Sequence, residues 1–171
     1  FVILAAGQGK RMHSALPKML HPLAGSPLVT HVLAAARMSQ PAAIALVIGH
    51  GGDAVQAALA GDDLRFVRQD PPRGTGDAVR RALDALPHDG VTVVANGDCP
   101  LIPGATLAAL ADVAAHGKLG LLTARVADPR GLGRVLRTAD GSVRAIVEDR
   151  DATADERAVD EIYTGALAAP S

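Results

Sequence analysis

An apolar run, Phe1-Val2-Ile3-Leu4-Ala5-Ala6, gives way to Gly7-Gln8-Gly9-Lys10-Arg11 and then to Pro17-Lys18. Small residues after a buried strand leave backbone N–H groups free to meet phosphate oxygens, and no bulky side chain keeps a base and ribose off the backbone. Arg11 can grip phosphate oxygens bidentately, and Lys18 adds a compact charge on a flexible stem. Further along, Gln69 precedes Gly74-Thr75-Gly76, which opens a helix with unpaired N–H groups. The Gln69 amide both donates and accepts, as pairing with a pyrimidine edge requires. Asn96-Gly97-Asp98 follows a second buried strand, and a carboxylate there can hold Mg²⁺, which keeps several waters and bridges to phosphate oxygens.

The common glycine loops do not account for this arrangement. A Walker A loop needs Gly and Ser or Thr where Leu4 and Arg11 stand, and a dinucleotide loop needs a third Gly where Met12 stands. Taken singly, the glycine loop also suits a strand-to-helix turn with solvated cations, Gly74-Thr75-Gly76 a helix start after a Pro turn, and Asp98 a turn or cap.

The elements that must position these groups alternate. Strands are expected at residues 2–5, 43–48, 66–67 and 91–95, and helices at 28–38, 54–59 (capped by Asp53), 75–86 and 104–115. Such alternation predicts an α/β domain with a mostly parallel sheet and helices on both faces, its ligands at the carboxyl ends of strands. The loops at 7–11, 49–52 and 96–98 should therefore gather on one edge. From residue 119 the pattern changes to a strand at 120–126 and a hairpin, 134–138 and 142–148, around Asp140-Gly141. A polar stretch at 149–159, read as a solvated loop or short helix, precedes a last strand near 161–168.

Composition limits the ligand classes. With 171 residues, 49% of them hydrophobic, the chain can bury one sizeable core. Three aromatic residues (Phe1, Phe66, Tyr163) leave no platform for stacking single-stranded nucleic acid, and a net charge of −1 leaves no basic stripe for a duplex. No apolar stretch approaches a membrane span and no export signal precedes the first strand, so the expected location is the cytoplasm. The single cysteine, Cys99, excludes an internal disulfide; beside Asp98 it reads as a packed thiol. The six histidines lack metal-ligand spacing.

Leu4-Ala5-Ala6-Gly7-Gln8-Gly9-Lys10-Arg11-Met12, with Pro17-Lys18-Met19-Leu20, resembles the opening of the sugar-nucleotide pyrophosphorylases. Leu20-His21 and Gly25-Ser26-Pro27-Leu28-Val29-Thr30-His31-Val32 narrow the resemblance to the bacterial N-acetylglucosamine-1-phosphate uridylyltransferases. Gln69 with Gly74-Thr75-Gly76, Asn96-Gly97-Asp98-Cys99-Pro100-Leu101, Gly131-Leu132-Gly133-Arg134, Ile146-Val147-Glu148 and Glu161-Ile162-Tyr163-Thr164-Gly165 continue it in order. The resemblance implies a three-layer Rossmann-like nucleotidyltransferase fold with a β-hairpin insertion on the sugar side. It implies transfer of a uridylyl group from UTP to N-acetylglucosamine-1-phosphate, giving UDP-N-acetylglucosamine and pyrophosphate for peptidoglycan and lipopolysaccharide precursors.

The resemblance also distributes roles. Leu4, Ala5, Ala6, Gly7, Gln69, Gly74 and Thr75 would bind the nucleotide, Arg11 and Lys18 would be catalytic, and Asp98 would hold Mg²⁺. Asn96, Gly97, Gly133, Glu148 and Tyr163 would face the sugar, Glu148 accepting from its hydroxyls. Four positions depart from the usual pattern: Lys10 stands for Thr, Asp77 for His, Asn96 for Tyr and Tyr163 for Asn.

Residues 1–171 are expected to form one nucleotidyltransferase domain. A start inside a strand without Met, and an end on Pro170-Ser171, suggest a piece of a longer chain. The resemblance places a second metal ligand, an Asn, and a β-helical acetyltransferase domain outside these residues; a homotrimer is expected only for a chain carrying that domain. Two other readings stay open: another nucleotidyltransferase, such as a molybdenum-cofactor guanylyltransferase or a hexose-1-phosphate enzyme, and a non-catalytic nucleotide-binding fragment.

Overall fold

A computed structural model describes residues 1–7, 9, 12–61 and 63–171. The opening apolar run forms β1 (Val2–Ala5). A 3₁₀ turn at Lys18–Leu20 and a two-residue hairpin, β2 (Pro22–Leu23) and β3 (Ser26–Pro27), follow. Then come α1 (Leu28–Arg37), β4 (Ile44–Ile48), α2 (Gly52–Ala58), β5 (Leu64–Arg68), α3 (Thr75–Leu83), β6 (Val91–Asn96) and α4 (Gly104–Ala115). The chain ends with β7 (Gly120–Arg125), β8 (Arg134–Arg137), β9 (Val143–Val147), α5 (Ala154–Arg157) and β10 (Glu161–Pro170). Two compact units result, one of Phe1–Gly120 with Leu167–Ser171 and the other of Leu121–Ala166.

In the first unit the strands run β5-β4-β1-β6, all parallel, and the last residues of β10 add an antiparallel edge against β6. Side chains alternate across a strand, so strands covered on both faces must be largely apolar. β1 and β4 are apolar throughout, and β6 is apart from Thr92 and Asn96. Val2, Ala45, Val47 and Val94 pack with Ala78 and Ala82 of α3 on one face. Ile3, Leu46, Ile48 and Val93 are buried on the other, where α1 and α4 pack together. Gly104 is the contact point of those two helices, since a side chain there would meet Met38 and the Ala35 carbonyl.

Several boundaries differ from the sequence reading for identifiable reasons. The strand expected at 66–67 extends over Leu64–Arg68 because all five residues pair with β4. The helix expected to reach 86 stops at Leu83, where Ala85 and Leu86 donate three residues back and tighten the end. Asp53 is not a cap. Gly51, at φ 70°, opens α2, its carbonyl accepting from Ala54 and Val55, and Asp53 lies in the first turn paired with Arg68.

The second unit is antiparallel. β8 and β9 form the expected hairpin, with a bulge at Leu136/Arg137, and the start of β10 pairs with β7 and β8. The polar stretch carries α5, begun by a reciprocal cap in which Thr153 accepts from the Glu156 N–H and Glu156 accepts from Thr153.

Candidate active site

Parallel strands end on one side of a sheet, so the loops after β1, β4, β5 and β6 converge. A cavity of about 740 Å³ opens there. Its lining includes Leu4, Ala6, Gly7, Lys18, Gln69, Gly74, Thr75, Asn96 and Asp98, nine of the residues expected to meet substrate or metal. A neighbouring cavity of about 290 Å³ is lined by Ala6, Gly49, His50, Gly51, Arg68 and Gln69, so Gln69 borders both. The expected gathering of three loops on one edge is thus observed.

The glycines work by close approach. A Cβ on Gly9, which also has φ 61°, would lie 2.8 Å from Lys18 Cβ. Glycine therefore lets the loop rest on Lys18 and turn over it. A Cβ on Gly49 would lie 2.8 Å from the Ala6 carbonyl oxygen.

Two expected residues stand elsewhere. Ala5 is 4% exposed and lies within the sheet packing rather than on the cavity wall. Gly97 donates its N–H to the Leu4 carbonyl at 2.9 Å, and a Cβ there would come within 3.1 Å of Met19 Sδ. Its smallness lets the exit of β6 lie against β1. Arg11 lies outside the described residues.

Lys18 and Asp98, eighty positions apart, form an ion pair between Nζ and Oδ2 at the cavity. Their side chains are 28% and 27% exposed, open enough to exchange partners. Among the described residues no cluster of three or more acidic, His or Cys side chains could cage a metal. A Mg²⁺ ion needs only one or two carboxylates when substrate phosphates and waters complete its shell, so Asp98 fits that role.

Cys99 is half-buried, and its thiol is pushed up, by burial first and by the Asp98 charge second.

Gln69 is 5% exposed. Its Nε2 donates to the Gly74 carbonyl at 2.9 Å and to Asp77 Oδ2 at 3.0 Å. Asp77 also accepts from Arg81 Nε at 2.9 Å and from Arg80 at 3.1 Å. The Gln69 hydrogen bond, with help from the two arginines, holds the Asp77 carboxyl down to about 2. Sequence reading noted Asp77 as a departure and missed this network, although the i, i+3 and i, i+4 arginines were a legible signal.

In the second unit Gly133, Glu148 and Tyr163 are neighbours. A Cβ on Gly133 would lie 3.8 Å from Glu148 Oε1, and the Tyr163 N–H donates to the Gly133 carbonyl at 2.9 Å. Glu148 is exposed, while Tyr163 is half-buried with its phenol pushed up by burial. Arg134 is 1% exposed; it donates to the Leu132 carbonyl and, at 2.9 Å, to Asp149 Oδ1.

The parallel sheet and its loop-lined cavity are those of a nucleotidyltransferase domain. The chain belongs to the MobA-like NTP transferase domain family, whose model matches residues 1–161. It is 51% identical, over 170 residues, to the Bifunctional protein GlmU of Paraburkholderia xenovorans (strain LB400), a match that covers 99% of this chain and 38% of that protein's length. A nucleotidyl transferase from Methanothermobacter thermautotroptrophicus superposes with a TM-score of 0.64 at 28% identity, over 77% of this chain and 67% of that one. A Bacillus anthracis structure, assigned as a glucose-1-phosphate thymidylyltransferase, shares the fold with a TM-score of 0.78 at 20% identity, over 99% of this chain and 70% of that one. No helix among the described residues is long and apolar enough to cross a membrane.

Proposed function

We propose that this domain transfers a uridylyl group from UTP to N-acetylglucosamine-1-phosphate, giving UDP-N-acetylglucosamine and pyrophosphate. The observation that carries the reading is the Lys18–Asp98 pair in the same cavity as the glycine loop and Gln69, in a chain half identical to a GlmU protein. Leu4, Ala6, Gly7, Gly74 and Thr75 would hold the nucleotide, with Ala5 behind them in the sheet. In the first unit Asn96 and Gly97 would meet the sugar; within the second unit, Gly133, Glu148 and Tyr163 are the residues proposed for sugar contact.

An oxygen of the sugar phosphate attacks the α-phosphorus in line, the bond from that phosphorus to the bridging oxygen breaks, and pyrophosphate leaves. The nucleophile is already ionised, so no general base is required; positioning and charge stabilisation supply the acceleration. Lys18 would leave Asp98 for the phosphates, and Arg11 would share that work. Bound at Asp98, Mg²⁺ would offset charge on the phosphate oxygens.

A pyrophosphate-release assay with Mg²⁺, N-acetylglucosamine-1-phosphate and each nucleoside triphosphate tests this, with the Paraburkholderia relative run in parallel. Release with UTP is expected. No release while the relative turns over, or a preference for GTP, would overturn the assignment.

A further inference from the structure

Gln69 borders the cavity with a buried amide, and what it can offer a base depends on which end of that amide is free. Both of its described side-chain partners, the Gly74 carbonyl and the Asp77 carboxylate, can only accept, and both are met by Nε2. Turning the amide over would set its oxygen against two oxygens in a region where Gln69 is 5% and the Asp77 side chain 9% exposed. Little water is available there to relieve the mismatch. Arg80 and Arg81, one turn along α3, also meet Asp77 and balance its charge, Arg80 at Oδ1 and Arg81 at the Oδ2 that Gln69 uses. Gln69 Oε1 accepts no hydrogen bond from the described residues, and Gln69 borders the cavity.

We propose that Asp77 is a specificity-determining positioning residue: it fixes the Gln69 amide so that Oε1 alone is offered to the base, which must then carry an imino N–H on its pairing edge. This rests on the nucleotide lying in that cavity, as under the proposed function. Uracil meets the requirement with N3–H. Cytosine in the same pose would set the N3 lone pair against Oε1, leaving two acceptors face to face. A Gln free to turn would accommodate either base. Glutamine without the carboxylate is therefore expected to be a poor discriminator.

Equilibrium titration of the chain with UTP, CTP and N3-methyl-UTP in Mg²⁺, repeated on Asp77→Asn and Asp77→Glu, tests the inference. The wild type is expected to bind UTP at least about tenfold more tightly than either of the others. Asp77→Asn, whose amide can present either end to Gln69, should bring the UTP-to-CTP ratio below about threefold. Asp77→Glu, still acceptor-only, should restore the preference. A merely structural role would weaken both nucleotides alike and leave the ratio unchanged. An unchanged ratio in Asp77→Asn, or equal wild-type binding of UTP and N3-methyl-UTP, overturns the role of Asp77 while leaving uridylyl transfer standing. Binding of none of the three by the wild type overturns the proposed function instead.

Discussion

The first unit keeps its charge at the edge, and the second keeps it inside. β1, β4 and β6 are buried largely among aliphatic side chains on both faces, while Lys18 and Asp98 meet at the cavity with over a quarter of each side chain exposed. In the second unit Arg134 and Glu161 are 1% and 6% exposed, and both are paired, with Asp149 and Arg137 respectively. A short antiparallel sheet has little apolar material to cover, and buried ion pairs fix geometry there more than they add net stability. Charge therefore lines an open cavity in one unit and is built into the packing of the other.

The sharpest way to break this comparison is to remove one charge from each unit. Asp98→Asn should lower kcat/KM for pyrophosphate release by roughly 10³-fold while leaving the melting temperature within about 2 °C, because a partly exposed pair contributes little to stability. Unfolding of Asp98→Asn would show that the edge charges are structural after all. Arg134→Ala should do the reverse, destabilising by about 3 kcal/mol by stranding the Leu132 carbonyl and Asp149. Tyr163 is the only tyrosine and tryptophan is absent, so tyrosine fluorescence during urea unfolding reports the second unit.

Acid should weaken the second unit through its buried pair. The Arg137 guanidinium is the leading cause that holds the Glu161 carboxyl down to about 2, from an ordinary 4.5. A carboxyl depressed in the folded state contributes stability above its unfolded value and loses it as pH falls toward the folded one. Tyr163-monitored stability is therefore expected to fall between pH 4.5 and about 2. Glu161→Gln, less stable at neutral pH, should show a shallower decline across that window. An equally steep decline would mean that other carboxylates carry the acid sensitivity.

Much of the site was legible because its parts lie at strand ends, where local pattern and chemistry coincide. The run into Gly7 and the step from Val94-Ala95 to Asn96-Gly97-Asp98 each marked a strand and its functional exit, and β1 and α4 have the bounds expected. What joins distant segments was not legible. Lys18 and Asp98 could be assigned to phosphate and metal separately, but their pairing depends on β1 and β6 being neighbours. The packing role of Gly97 depends on the same adjacency. No local signal marks Arg134 as buried, because its burial follows only once the Arg157 and Asp149 segments close over it. The antiparallel pairing of β10 with β6 escaped the βα alternation because no local signal sets the direction of a strand that arrives from the hairpin region.

The smallest expected effect also sets the units apart, through one residue at the start of a helix in each. Asp53 looked like a cap, but Gly51 occupies that position and the Asp53 side chain is 89% exposed, paired with a half-exposed Arg68. Nothing on α2 needs it, so Asp53→Ala should leave the urea midpoint within error. Thr153, in a stretch read as loop or short helix, accepts from the Glu156 N–H while Glu156 accepts from Thr153. Its loss leaves the Glu156 N–H without its acceptor at the start of a helix of four residues, so Thr153→Ala should cost about 1 kcal/mol. Measured through Tyr163, that cost should appear in the second unit's transition. A larger effect from Asp53→Ala than from Thr153→Ala would show that exposed charge does structural work in the first unit, contrary to the division drawn between the two.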